Sequence, residues 1–369
     1  MRKAISLALQ GGGYVNPNPR VGAVIVKNGR IIGEGWHAKY GDLHAERNAL
    51  KNCTEDPKDA EIYVTLEPCC HYGKQPPCTE ALLAAGIRKV YIGSRDPNPL
   101  VHGKGAAFLK EHGIEVEEDV LKSECDRLNP SFFHYISKKM PFVTLKYAMT
   151  LDGKISTKTG KSKWITGPEA RKKVHEIRGM HTGILAGIGT VLADNPFLTC
   201  RDADGLNPVR IIADSHLRTP ITSNIVQDIK NADPERSRFP RTILATTVDD
   251  DSRLEPYREM GCTILNVPMD KDGELDLPIL MQKLGDLGID SILLEGGGTL
   301  AWNMLREGFV QRICAFAAPK IFGGSSAKTP ISGQGIDRPD EAWTLLNPEI
   351  SIIGQDLLIE GDVAACLPE

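Results

Sequence analysis

The spacing of apolar positions divides the chain into short strands and helical stretches that follow one another in turn. Residues 4–10 repeat with a helical period and stop at Gly11-Gly12-Gly13, a run that reads as a helix C-cap and loop rather than a phosphate cradle. Two apolar runs, 21–26 and 31–37, flank Lys27-Asn28-Gly29-Arg30, and Asn-Gly between such runs predicts a hairpin. Strands are then predicted over 60–66, 89–93 and 114–116, with helices from His44, from Cys78, over 103–112 and after Glu118. This alternation predicts an α/β/α sandwich around a largely parallel sheet, with ligands at the C-terminal ends of its strands.

A basic, proline-marked junction, Lys138-Lys139-Met140-Pro141, gives expected domains 1–140 and 141–369. The second opens with a strand over 142–146. Thr166-Gly167-Pro168-Glu169 predicts a helix with Thr166 as N-cap and Glu169 closing a capping box, running to about Arg178. Further strands are predicted over 183–186, 209–213, 242–246, 263–267 and 291–295, a helix over 277–287, and a closing antiparallel pair over 343–360. Strand 291–295 leads into Gly296-Gly297-Gly298-Thr299, whose bare backbone would let a pyrophosphate reach the N-terminus of the next helix. No acidic residue follows at about 20 positions to hold a ribose hydroxyl, so NADP in another nucleotide fold fits better than an NAD-type Rossmann site.

Composition narrows the class. A chain of 369 residues can bury two cores, and its 41% hydrophobic and 25% charged residues are ordinary for a globular protein. A net charge of −4 without a long basic run argues against nucleic acid or an anionic membrane as partner. Nine cysteines without disulfide-like spacing indicate a reducing compartment. No apolar stretch approaches the roughly 18 residues of a membrane span, so a soluble cytoplasmic protein is expected.

The candidate chemistry begins at His44-Ala45-Glu46, with Glu67-Pro68-Cys69 and Pro76-Pro77-Cys78 downstream. A histidine, a carboxylate two residues later and two proline-preceded cysteines are the parts of a zinc deaminase site. Zn²⁺ held by His44, Cys69 and Cys78 keeps a fourth position for water, and Glu46 would carry protons from that water to the substrate. A helix starting at Cys78 would favour its thiolate. The competing reading is a structural zinc site with Cys70 or His71 as fourth ligand, which gives Glu46 no task.

These residues sit in longer patterns. Asn16-Pro17-Asn18-Pro19-x-Val21-Gly22, Gly35-x-His37, His44-Ala45-Glu46 and Glu67-Pro68-Cys69-x-His71-x-Gly73-Lys74-x-Pro76-Pro77-Cys78 resemble the deaminase half of the bifunctional riboflavin-biosynthesis deaminase/reductase family. The eight residues between Cys69 and Cys78 are similar to that family and unlike the two-residue gap of cytidine and tRNA deaminases. The resemblance implies a cytidine-deaminase-like α/β/α sandwich in which Asn18, His37 and Lys74 contact pyrimidine and phosphate. Cys70 departs from the serine common in the family.

Lys146-x-Ala148-x-Thr150-Leu151-Asp152-Gly153-Lys154, Ser162-x-Trp164-Ile165-Thr166, the stretch from Gly189 to Arg201, and Glu295-Gly296-Gly297 resemble the reductase half, which has a dihydrofolate-reductase-like α/β fold. The resemblance implies NADPH contacts at Ala148, Trp164, Thr190, Asp194, Gly297, Gly298 and Thr299. It places the phosphorylated substrate against Lys146, Ser162, Arg178, Leu198, Arg201 and Glu295, with the two arginines and the serine on the 5′-phosphate. Lys146 and Asp194, polar residues at expected strand ends, are candidates to protonate the substrate. The implied activity is deamination of a diamino-pyrimidinone ribosylamine 5′-phosphate followed by NADPH reduction of the ribosyl chain. A homo-oligomer, dimer or tetramer, is the expected assembly, and cytidine or tRNA deamination beside an unrelated reductase is the alternative.

Overall fold

The computed structural model describes residues 1–230, 233–238 and 240–364. The chain divides into two compact units, Met1–Lys139 and Met140–Glu369.

The first unit carries strands β1 Gly22–Lys27, β2 Arg30–Trp36, β3 Glu61–Leu66, β4 Lys89–Ser94 and β5 Glu115–Glu117. Its helices are α1 Arg2–Ala8, α2 Ala45–Lys51, α3 Cys78–Ala84, α4 Lys104–Glu111, α5 Lys122–Asp126 and α6 Pro130–Lys138. The sheet order is β2-β1-β3-β4-β5. Asn28 and Gly29 both take positive φ (51° and 75°), the backbone a two-residue hairpin loop demands. The expectation of a largely parallel sheet is corrected: β1 runs antiparallel to both β2 and β3, and only β3, β4 and β5 are parallel. The hairpin reverses the chain before α2 crosses to β3, so its first strand meets the parallel set head to tail.

Glycine decides how closely α2 rests on β2. A Cβ on Gly35 would lie 2.3 Å from the Ala49 nitrogen and 2.5 Å from the Ala45 oxygen, so only a bare backbone admits the helix. Ala45 and Ala49 then join Ile62, Val64, Leu82, Val90 and Leu109 in one buried core. That seat fixes the start of α2, where His44 stands as N-cap.

In the second unit nine strands form one sheet ordered β10-β9-β8-β7-β11-β6-β12-β14-β13. They are β6 Phe142–Thr150, β7 Gly183–Gly187, β8 Val209–Ala213, β9 Thr242–Thr246, β10 Thr263–Asn266, β11 Ser291–Glu295, β12 Val310–Ala318, β13 Thr344–Ile353 and β14 Asp356–Ala364. Helices α7 Pro168–Met180, α8 Ile188–Asp194, α9 Asn224–Gln227, α10 Asp251–Glu259, α11 Leu277–Asp286 and α12 Gly298–Arg306 connect them. All pairings from β10 to β12 are parallel, and β14 and β13 continue the sheet antiparallel. β12 has no counterpart among the sequence-predicted strands. Its inner stretch Cys314-Ala315-Phe316-Ala317-Ala318 is continuously apolar and rich in small residues, so it shows neither alternation nor β-branched enrichment.

The start of α7 also differs from expectation. Its N-cap is Gly167, not Thr166, and no side-chain cap forms within the helix. The Gly167 N–H donates instead to Asp356 Oδ2 at 2.7 Å, so the acceptor comes from the first residue of β14, far along the chain.

Candidate functional sites

The site of the first unit is assembled at strand and helix ends. His44 precedes α2, Glu46 lies in its first turn, Cys69 follows β3, and Cys78 opens α3. His44 Nδ1 is 3.5 Å from both Cys69 Sγ and Cys78 Sγ, and the three ligand atoms lie within 4.8 Å of one another. Tetrahedral bonds of about 2.3 Å to sulfur and about 2.05 Å to nitrogen require an N···S separation of about 3.5 Å, so the set fits zinc. Neither Cys70 nor His71 belongs to the group; Cys70 Sγ turns to the Leu100 carbonyl at 3.7 Å. Three protein ligands are the number found in catalytic zinc sites.

Charge points the same way. A hydrogen bond from the Cys78 thiol holds Cys69 down at about 4, and the same bond pushes Cys78 well up, so Cys69 is the more readily ionised of the two sulfurs. Burial, then the neighbouring Cys69, raise the carboxyl of Glu46, which lies fully inside. A carboxyl held above its ordinary range by burial keeps a proton more readily than an exposed one, which suits a group that must both accept and release it.

Asn18 and His37 stand beside this group. Asn18 Nδ2 lies 3.2 Å from His37 Nε2, and His37 Nδ1 lies 3.1 Å from the Leu43 carbonyl. The carbonyl can only accept, so Nδ1 carries the proton and Nε2 accepts from Asn18. The His37 ring meets the His44 ring edge-on at 5.4 Å. Lys74 is exposed on the loop before Cys78, its ammonium 3.9 Å from the centre of the Tyr40 ring.

Two residues without an assigned role shape the site. Glu67, buried, accepts from the backbone N–H groups of Asp96 (3.3 Å), Gly103 (3.0 Å) and Ala106 (3.2 Å), anchoring the turn that delivers Cys69. Arg47 donates to the carbonyls of Pro76 (3.2 Å) and Pro77 (2.9 Å), fixing the chain before Cys78. The Glu67-Pro68-Cys69 motif signalled the first. Nothing local signalled the second, because its partners are carbonyls.

In the second unit a cavity of about 1850 Å³ opens over β6, β7 and β11. Lys146, Ala148, Ser162, Trp164, Arg178, Thr190, Asp194, Leu198, Arg201, Glu295, Gly297, Gly298 and Thr299 all line it. At its floor Glu295 and Lys146 are register partners on adjacent parallel strands, Nζ to Oε2 3.6 Å. Arg178 forks the same carboxylate, with Nε to Oε1 at 2.7 Å and Nη2 to Oε2 at 2.9 Å. Burial alone would raise Glu295; the Arg178 and Lys146 charges overcome it and hold the carboxyl at about 2. Burial lowers Lys146, and the Glu295 charge opposes that fall.

Two expectations change here. Arg178 also donates to the Thr199 carbonyl at 3.1 Å, so its charge is committed to Glu295 and it is not the free half of a phosphate-binding pair; Arg201, its side chain 52% exposed, pairs at the surface with Asp202, Nε to Oδ2 3.7 Å. Asp194 is not at a strand end but closes α8, accepting from Ser162 Oγ at 3.2 Å. Trp164 is 59% exposed at the cavity edge, with the Arg171 guanidinium 4.6 Å from its ring. At the N-terminus of α12 a Cβ on Gly297 would meet no atom within 4 Å, so bare backbone faces open cavity there. A dinucleotide pyrophosphate fits such a helix start, and the volume leaves room for a second molecule.

Comparison with known proteins joins the two sites. Residues 1–94 match the cytidine and deoxycytidylate deaminase zinc-binding region, and residues 141–358 match the RibD C-terminal domain. The riboflavin biosynthesis protein RibD of Actinobacillus pleuropneumoniae is 51% identical over 98% of this chain and 93% of its own. The chain belongs to the RibD family. The RibD protein of Escherichia coli is 38% identical over 97% of each chain. Among solved structures, Acinetobacter baumannii RibD (form 1) superposes with a TM-score of 0.85 at 34% identity, over 98% of this chain and 97% of that one. A Thermotoga maritima diaminohydroxyphosphoribosylaminopyrimidine deaminase/5-amino-6-(5-phosphoribosylamino)uracil reductase gives 0.83 at 38% identity, over 99% and 97%. As a RibD protein, this chain is a bifunctional deaminase and reductase of riboflavin biosynthesis that uses zinc and NADPH. It acts on a small molecule, and among the described residues no helix is long and apolar enough to cross a membrane.

Proposed function

We propose that domain 1–140 deaminates 2,5-diamino-6-ribosylamino-4(3H)-pyrimidinone 5′-phosphate, and that domain 141–369 reduces the product's ribosyl chain to give 5-amino-6-ribitylaminouracil 5′-phosphate. The observation that carries the first step is a buried carboxyl, Glu46, beside a three-ligand group with zinc spacing. His44, Cys69 and Cys78 hold the metal, which when bound supplies an acidified water with a pKa of about 7. Glu46 takes one proton of the attacking water and gives it to the ring nitrogen, then takes the second from the hydroxyl now on the ring carbon and gives it to the departing amine, which leaves as ammonia as the carbonyl forms. Asn18 and His37 orient the pyrimidine, and Lys74 meets the phosphate.

In the reductase cavity NADPH supplies hydride when bound. Ala148, Trp164, Thr190, Asp194 and the backbone of Gly297, Gly298 and Thr299 hold it, while Ser162, Leu198 and Arg201 receive the substrate. Lys146 is the proton donor to the opening ribosyl oxygen, because burial lowers its affinity for the proton. Glu295, fixed by Arg178, orients Lys146. The protein works in the cytoplasm on a small molecule rather than nucleic acid, as a dimer or tetramer joined through the exposed edge strand β13.

The test is a two-stage assay on the purified protein, ammonia release followed by NADPH consumption. Turnover of the phosphorylated diamino-pyrimidinone in both stages is expected. Ammonia release from cytidine or adenosine substrates instead would overturn the reading.

A further inference from the structure

A side chain 109 residues away in sequence fixes the loop that carries Asn18. Asn129 joins α5 to α6 and is buried. Its Oδ1 accepts from the Arg20 N–H at 2.7 Å, and its Nδ2 donates to the Arg20 carbonyl at 2.9 Å. One amide thus closes a two-point pairing with a single residue's backbone, as a neighbouring strand would. The Arg20 guanidinium adds a bond to the Leu128 carbonyl in the same junction.

This pairing is made at the expense of the helix. Asn129 is the N-cap of α6, where an asparagine side chain ordinarily accepts from the first turn, yet no such bond forms. The amide is diverted to Arg20. The junction is itself anchored to the sheet: Ser94 Oγ, at the end of β4, donates to Asp126 Oδ1 at 2.6 Å, and Cys125 packs so closely on Gly93 that a Cβ there would lie 2.3 Å from its sulfur. A continuous line of contacts therefore runs from β4 through Asp126 and Asn129 to Arg20, two residues from Asn18, and on to His37.

We infer that Asn129 is a positioning residue of the deaminase: it holds the 16–20 loop so that Asn18 meets both His37 and the pyrimidine. It lies outside residues 1–94, the stretch matched as the zinc-binding region. The inference rests on the reading of Asn18 as a substrate contact.

The experiment compares N18A, N129A and N129D in the full chain, with zinc content and deaminase kcat and KM measured for each. N129D keeps the acceptor for the Arg20 N–H and sets a carboxylate against the Arg20 carbonyl. The expected result is full zinc in all three, KM raised about tenfold or more in N18A and N129A, kcat changed less than KM, and no further rise in the N18A/N129A double variant. An unchanged KM in N18A would remove the reading of Asn18 and the inference with it. A raised KM in N18A but not in N129A or N129D would overturn the inference alone, and loss of zinc from both Asn129 variants would make it a folding residue instead.

Discussion

Glu295 is a carboxylate kept ionised inside the second unit by two cations, and this has a measurable consequence. Its folded pKa of about 2 lies below the ordinary glutamate value of about 4.3. A depressed acid contributes stability that is fully present above the unfolded pKa and is lost as pH falls through the folded one. Glu295→Gln would leave Arg178 and Lys146 buried without their partner, at a cost of about 3–5 kcal/mol near pH 7. Urea unfolding of parent and variant should show that gap narrowing between about pH 4.3 and about pH 2; an equal gap at both ends would contradict the ion-pair account. At this scale the grouping of His44, Cys69 and Cys78 was legible, because metal chemistry restricts residue type and spacing at once. The task of Arg178 was not, since its partner lies 117 residues away and only the fold pairs them.

Among the elements, β13 is the outermost strand of its sheet, bonded among the described residues only to β14, with Leu346, Ile350 and Ile352 exposed by 54%, 68% and 73%. Proteins usually blunt such edges with charge or cover them. A second copy related by a two-fold axis would cover this edge with its own. With the proposed dimer or tetramer, I350K/I352K should sediment as a smaller species than the parent, and an unchanged sedimentation would exclude the edge. Elements defined by local turn chemistry, such as the Asn28-Gly29 hairpin, could be read directly from sequence. The antiparallel arrival of β1 on β3 and the capping of α7 by Asp356 could not, because both are settled by distant packing.

On the scale of the whole molecule, one chain carries a metal-ligand group in its first unit and a dinucleotide-sized cavity in its second. The resemblance to the riboflavin-biosynthesis family ran through motifs of both halves, so the pairing of activities was legible before the fold. How the second half holds its charges was not, because Lys146, Arg178 and Glu295 come together only through strand register and helix packing. The central claim is that Glu46 moves protons at a metal it does not bind. Glu46→Gln tests it in a single preparation assayed for zinc, ammonia release, and NADPH consumption on pre-deaminated substrate. The account predicts zinc at the parent level, ammonia release reduced by about 10³-fold or more, and unchanged NADPH consumption. Ammonia release near the parent rate, or loss of both activities together, would contradict it.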